Sequence, residues 1–295
     1  MTPMLGIMAS QISGHLEINT WTTKATMTTA RREFGAATVG STVYAIAGVG
    51  GTTTNEAYNT GANSWSTKTA MTAGRWALPV SAVGTVIYAI GGYTGGSESN
   101  TNYAYDTVAN TWSTKAAMTT ARYGLAAGVV GTSIYLIAGY GAAGMLDKNE
   151  AYDTVANTWS TKTALPYVAY YLAGAAVSTK VYAIGGFDSG GNPLDSNYAY
   201  DTSANTWASR AVMPTARSTL AAAAVGTKIY AIGGSTGSIS SKNEAYDTVA
   251  NTWATKASMA NARNNLAAAA YSGKIYALGG NTGSGTSNIN EQYEV

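Results

Sequence analysis

At 295 residues the chain exceeds the size at which a single hydrophobic core stops growing, so its apolar side chains must be shared among domains or repeated units. A net charge of +2, with only 11% of residues charged, excludes the broad basic field that nucleic acid or anionic lipid would require. There is no cysteine and the one histidine is His15, which excludes disulfides, thiolate chemistry and multi-histidine metal sites.

The chain opens on MTPMLGIMASQISGHL, residues 1–16, which hold no Lys or Arg and so lack the charged start of a secretory signal. No apolar run approaches the roughly 20 residues of a membrane helix, so membrane insertion is not expected. These residues are set apart as an N-terminal leader, and residues 17–295 as one repeat domain. A soluble protein is expected, one that reaches any extracellular position by assembly.

From Trp21 onward the sequence repeats. Trp21, Trp65, Trp112, Trp159, Trp207 and Trp253 each end a TW or SW dipeptide, separated by 44, 47, 47, 48 and 46 residues. After each comes a Lys or Arg, then a Met (Leu165 in one copy), an Ala/Gly-rich run, an aromatic-aliphatic run such as YAIGG, a polar loop, and a segment such as EAYD. Four stretches per repeat read as short strands bounded by Gly, Asn, Asp or Ser. Strand a is the small-residue run, as in GLAAGVV from Gly124. Strand b carries Tyr44, Tyr88, Tyr135, Tyr182, Tyr230 and Tyr276. Strand c carries Tyr58, Tyr105, Tyr152, Tyr200, Tyr246 and Tyr293, and strand d carries the Trp. Two helices per unit would not fit such short Thr-, Val- and Gly-rich segments.

Blades that converge on an axis leave little room there, which places the Ala/Gly strands innermost and the Trp strands at the rim. The cation three residues after each Trp (Lys24, Lys68, Lys115, Lys162, Arg210, Lys256) suits a free outer edge that must not pair with another chain. The N-terminus supplies one d strand without a, b or c, while the C-terminus ends after a, b and c at NEQYEV. The two pieces complete one blade, so Trp21 and Tyr293 should lie on paired strands that seal a ring. The expected fold is all-β: a six-bladed β-propeller with four strands per blade.

YAIGG, a loop, Tyr-Asp, NTW and the downstream Met and Arg together resemble kelch repeats, in six copies over residues 17–295. No Trp is followed by Asp, which separates the pattern from WD-type propellers. AGVG at Ala47 and AGYG at Ala138 depart from the double glycine but keep its second member. The paired glycines let the chain turn tightly out of strand b. Within the leader, Leu5–Leu16 (LGIMASQISGHL) resembles a segment found ahead of varied domains in tailed-phage structural and tail-associated proteins. That resemblance implies a virion location and contact with other virion proteins through the leader.

The d-to-a turns and b-to-c loops should gather at one end of the ring, the usual partner face of kelch proteins. Arg31, Arg75, Arg122, Arg217 and Arg263 recur there, with Ala169 in blade 4. They either bind anionic groups or bond carbonyls of neighbouring blades. The following position varies, being Arg32, Trp76, Tyr123, Tyr170, Ser218 and Asn264. So does the position after strand b, which holds Val49, Tyr93, Tyr140, Phe187, Ser235 and Asn281. Blades 2, 3 and 4 are aromatic at both. Arg32, Trp76, Tyr93, Tyr123, Tyr140, Tyr170, Tyr171 and Phe187 are therefore the candidate ligand-binding residues, either as an exposed patch for a sugar or a protein or as packing that plugs the channel. Asp188, Asp195, Glu98 and Asp147 match no dedicated calcium loop, and no metal or other cofactor is expected.

These readings combine into a non-enzymatic binding module of a phage particle that contacts host surface glycan or a neighbouring virion protein through one face. The alternative is a cellular kelch-type protein-interaction scaffold, cytoplasmic or extracellular. Kelch oxidases need a cysteine-modified tyrosine at copper, and iron-dependent kelch proteins need a metal-binding His within the repeats. A sugar epimerase or lyase needs only acid-base groups, for which Glu33 beside Arg31 and Arg32 is the one constellation.

Overall fold

The computed structural model describes residues 19–50 and 52–295, so the leader expected over residues 1–16 lies outside the described residues. Six antiparallel four-stranded sheets are arranged as blades. From axis to rim, blade 1 runs Gly35–Val39, Thr42–Ile46, Asn55–Asn59, Ser64–Thr67. Blades 2 to 5 repeat this order, starting on Val80–Val83, Ala126–Val130, Ala173–Val177 and Ala221–Val225. Blade 6 consists of Ala267–Tyr271, Lys274–Leu278 and Asn290–Glu294, completed by Thr20–Lys24 from the other end of the chain. Trp21 stands opposite Tyr293, so the ring closes through the pairing read from the sequence. There are no helices among the described residues.

Side-chain size explains the radial order. The innermost strands of neighbouring blades touch all the way round the axis. A Cβ on Gly35 would meet Val80 Cγ2 at 2.2 Å, and one on Gly174 would meet the Ala127 carbonyl at 2.4 Å. Only small residues allow the blades to converge so closely. At the strand b exit, the first glycine position has φ of 54–68° and tolerates Ala47 and Ala138. The second has φ of 91–103°, and at Gly48 a Cβ would lie 2.5 Å from Phe34 Cβ. The first φ lies in the left-handed well that other residues can enter and the second lies beyond it, which is why the second glycine is present in all six blades while the first is not.

Away from the axis, one set of contacts is repeated at every seam. Each strand b tyrosine packs on the strand c tyrosine of the next blade, as Tyr182 does on Tyr246 at 5.8 Å. The strand c tyrosine also packs on its own blade's Trp at 5.1–5.2 Å. The asparagine two residues before each Trp adopts a left-handed conformation, with φ of 37–57°. Its Oδ1 accepts from the strand c tyrosine hydroxyl and from a backbone N–H of the preceding blade; Asn205 binds Tyr200 at 2.6 Å and the Thr163 N–H at 2.9 Å. The Trp207 indole N–H donates to the Thr163 carbonyl at 2.8 Å. Asn19, Trp21 and Tyr293 make the same bonds at the closing seam. The repeated NTW motif is thus the latch between blades.

Candidate functional site

The d-to-a turns and b-to-c loops meet on one face, and the two variable positions of each blade are cross-strand partners there. Backbone bridges join Arg32 to Val49, Trp76 to Tyr93, Tyr123 to Tyr140, Tyr170 to Phe187, Ser218 to Ser235 and Asn264 to Asn281. The six aromatics form one unbroken file across blades 2, 3 and 4. Trp76 contacts Tyr93 at 5.4 Å, Tyr93 contacts Tyr123 at 5.3 Å, and Tyr123 contacts Tyr140 at 5.5 Å. Tyr140 contacts Tyr170 at 5.6 Å, and Tyr170 contacts Phe187 at 5.4 Å. Every ring is half-buried, tilted or edge-on against its neighbour, as ring quadrupoles prefer. Burial first, then the neighbouring phenols and Glu98, pushes the Tyr123 hydroxyl above its ordinary range. The Tyr140–Gly141 and Gly144–Met145 strands stiffen the blade 3 loop that carries Tyr140.

Of the remaining two candidates, Tyr171 packs on the file, against Tyr170 at 5.2 Å and Tyr123 at 6.2 Å, and Arg32 stands apart from it. Arg32, on blade 1, donates to Thr286 Oγ1 at 2.7 Å and is 3.8 Å from Glu33. Tyr171 turns into the channel mouth and donates to Glu33 Oε2 at 2.9 Å, joining blade 4 to blade 1. The backbone beneath this bond forms a circle: the N–H groups of Glu33, Ala77, Gly124, Tyr171, Thr219 and Asn265 each donate to the carbonyl of the corresponding residue one blade back, at 2.6–2.9 Å. All six residues have φ of 52–62°. Below them Phe34, Leu78, Leu125, Leu172, Leu220 and Leu266 ring the axis and leave a cavity of about 110 Å³. Tyr171 therefore helps to stopper the channel, while the file of six lies outside it.

The five arginines are 0–1% exposed and face no ligand. Arg217 donates to the Gly233 carbonyl at 2.8 Å, the Lys242 carbonyl at 3.1 Å, the Ala231 carbonyl at 3.1 Å and Glu244 Oε2 at 2.8 Å. Arg31, Arg122 and Arg263 pair likewise with Glu56, Glu150 and Glu291. Burial holds the Arg217 guanidinium below its usual range, and Glu244 works against that. An anion-binding arginine ring is thereby overturned, because the charges already satisfy carbonyls and carboxylates within their own blades. The same geometry removes Arg31 from the constellation of Arg31, Arg32 and Glu33, since it points into the blade toward Glu56; Arg32 and Glu33 stay paired, and Glu33 also accepts from Tyr171.

Blade 4 departs from this plan at three linked places, which the sequence analysis did not connect. Ala169 replaces the Arg, Tyr198 replaces the Glu, and Tyr167 replaces the Thr or Asn that contacts the carboxylate in blades 1, 5 and 6. In their place the Tyr167 and Tyr198 rings pack at 5.2 Å, and the Tyr167 hydroxyl lies 2.7 Å from Ser196 Oγ. Blade 2 is intermediate. Its Tyr103 also stands in the Glu position, but the Arg75 guanidinium covers that ring at 4.5 Å. Burial brings Arg75 down to about 10. The signal in the sequence was NYAYD in place of NEAYD, read together with the missing Arg.

Among the described residues no three His, Asp or Glu side chains are grouped so as to hold a metal ion. Asp188 Oδ1 instead accepts from the Gly190 and Asn192 N–H groups of its own loop at 2.8 Å.

A closed ring of blades with variable loops gathered on one face is the architecture of an interaction scaffold. The kelch motif matches residues 78–119, 121–166, 169–214 and 216–260, more than half of the chain. The chain belongs to the kelch repeat family, and its six-bladed propeller is of the type that binds proteins. Blades 1 and 6 lie mostly outside the matched segments but repeat their geometry. A comparison with curated proteins finds no match.

Proposed function

We propose that this kelch propeller is a non-enzymatic binding module of a phage particle, and that the aromatic file on blades 2 to 4 holds host surface glycan. One observation carries the reading: six half-buried rings run without a break across three adjacent blades, while blades 5, 6 and 1 present Ser218, Ser235, Asn264, Asn281, Arg32 and Val49 at the same positions. Apolar ring faces suit the C–H face of a sugar, and an aromatic patch rimmed by polar groups marks an interaction surface. The resemblance of Leu5–Leu16 supports attachment to other virion proteins through the leader. Binding of wild type to a glycan array, reduced at least tenfold by Trp76→Ala with Tyr123→Ala, is the expected result. No ligand for the wild type overturns the carbohydrate half.

Kelch propellers bind proteins, and this favours a second reading in which the same file contacts a protein, on the virion or as a cellular scaffold. Mass spectrometry of purified particles from the native source separates these settings: presence of the chain in the particle supports the virion reading, and its absence overturns it.

A further inference from the structure

The three departures of blade 4 have a shared consequence. Pro166, Tyr167, Val168, Leu194 and Tyr198 wall a cleft of about 370 Å³ on the loop side of the blade, with Asp188, Ser189 and Ser196 also lining it. Where the other blades carry a buried guanidinium, the cleft has two packed phenol rings and Ala169. Phe187, the last ring of the aromatic file, directly precedes Asp188 in the chain, so file and cleft adjoin.

The lining has an unusual balance. Proline, valine, leucine and two tyrosine rings make an apolar wall, and Val168 remains 39% exposed there. Against it stand polar groups with spare capacity. The Tyr198 and Ser189 hydroxyls make no hydrogen bond among the described residues. Asp188 Oδ2 accepts only from Asn192 Nδ2, at 3.2 Å. Its backbone and amide bonds hold the Asp188 carboxyl below the usual carboxylate range, which keeps it an anion. A fixed negative charge beside the cleft repels acidic ligands and accepts from hydroxyls. The volume lies at the small end of ligand sites, enough for one ring.

We propose that the blade 4 cleft is a subsite for a neutral hexopyranose, whose C–H face lies on the tyrosine wall and whose hydroxyls bond Tyr198 and Asp188. The inference rests on the carbohydrate reading of the aromatic file and adds to it the place where the terminal sugar is selected.

The test uses the full chain and monosaccharides, followed by saturation-transfer NMR. Methyl hexopyranosides are expected to receive saturation and methyl glucuronide at most a tenth as much. Tyr198→Phe should weaken hexoside binding about fivefold, the equivalent of one neutral hydrogen bond. Ser189→Trp, on an exposed loop where the fold is undemanding, should block the cleft and abolish the signal. Trp76→Ala with Tyr123→Ala should remove longer glycans from the array, a readout of the file and not of the cleft. Hexoside binding unchanged by Ser189→Trp, equal binding of the glucuronide, or no saturation transfer from any hexoside overturns the cleft. In each case the array result on the aromatic file still stands or falls by itself.

Discussion

Blades 4 and 5 are neighbours with the same four strands and the same outer latch, yet their interiors are built on opposite principles. Blade 5 buries a charged lattice: Arg217 satisfies three carbonyls and Glu244, while Thr215 donates to Glu244 Oε1 at 2.8 Å. Blade 4 replaces that lattice with Tyr167, Ala169 and Tyr198 and carries aromatic rings on its loops where blade 5 has Ser218 and Ser235. The difference teaches that the latch, not the interior, defines a blade. With the seams fixed by Asn, Trp and Tyr, the space under the loops is free to be ionic or aromatic, and in blade 4 the aromatic solution borders an open cleft.

The largest test of this comparison is Arg217→Ala. Removing one partner strands Glu244 in the interior, which costs about 3–5 kcal/mol. The urea midpoint should fall accordingly. Installing the blade 4 solution in blade 5, with Thr215→Tyr, Arg217→Ala, Lys242→Ser and Glu244→Tyr together, should recover more than half of that loss, because no buried charge is then left over. A graft no more stable than Arg217→Ala would show that the blade 4 interior depends on its own surroundings.

A smaller and symmetrical effect is expected at the latch. Asn205→Ala in blade 4 and Asn251→Ala in blade 5 each remove an acceptor shared by a tyrosine hydroxyl and a backbone N–H. Each also puts alanine where φ is 55–56°. The two losses together come to about 2–3 kcal/mol. Thermal unfolding should show equal shifts for the two variants. A severalfold difference would mean that the seams are not interchangeable and that the interiors do contribute to them.

How far the sequence disclosed this arrangement follows the repeat. Blade number, radial order and closure by Trp21 and Tyr293 were legible because six copies of one spacing leave little else possible, and small residues can only face the axis. The pairing of Trp76 with Tyr93 and of Tyr170 with Phe187 was half legible: both positions varied together, but nothing in their spacing says that they are cross-strand partners. Tyr171 does pack beside Tyr170 and Tyr123, but its reach to Glu33 was not legible, because it depends on a left-handed backbone shared with five unlike residues from Glu33 to Asn265. The destination of the arginines was half legible: five like copies suit bonds to carbonyls, but the sequence pointed to neighbouring blades where the bonds lie within each blade. A guanidinium fits an exposed anion site and a buried carbonyl cage equally well by spacing, and only the geometry around Glu56, Glu150, Glu244 and Glu291 decides.

The smallest expected effect concerns pH and again sets blade 4 against blade 5. Burial, then Tyr135, then Asp201 push the Tyr200 phenol up to about 12. In blade 5 burial and Tyr182 also raise Tyr246, but the Arg210 guanidinium, just past the outer strand of blade 4, draws it back. A phenol whose folded value lies above its ordinary value of about 10 is protonated more fully in the folded state than in the unfolded chain. Its contribution is therefore complete below about pH 10 and is lost as pH rises toward 12. Tyr200→Phe and Tyr246→Phe each break one bond to the latch asparagine, so at pH 7 they should destabilise alike, by about 1 kcal/mol. Between about pH 10 and 12 they should diverge. Wild type and Tyr246→Phe should both lose stability with alkalinity, whereas Tyr200→Phe should show the flatter urea-midpoint profile, having shed the more strongly shifted phenol. Parallel profiles for the two variants would remove the electrostatic role of Arg210 and leave burial as the sole distinction between the seams.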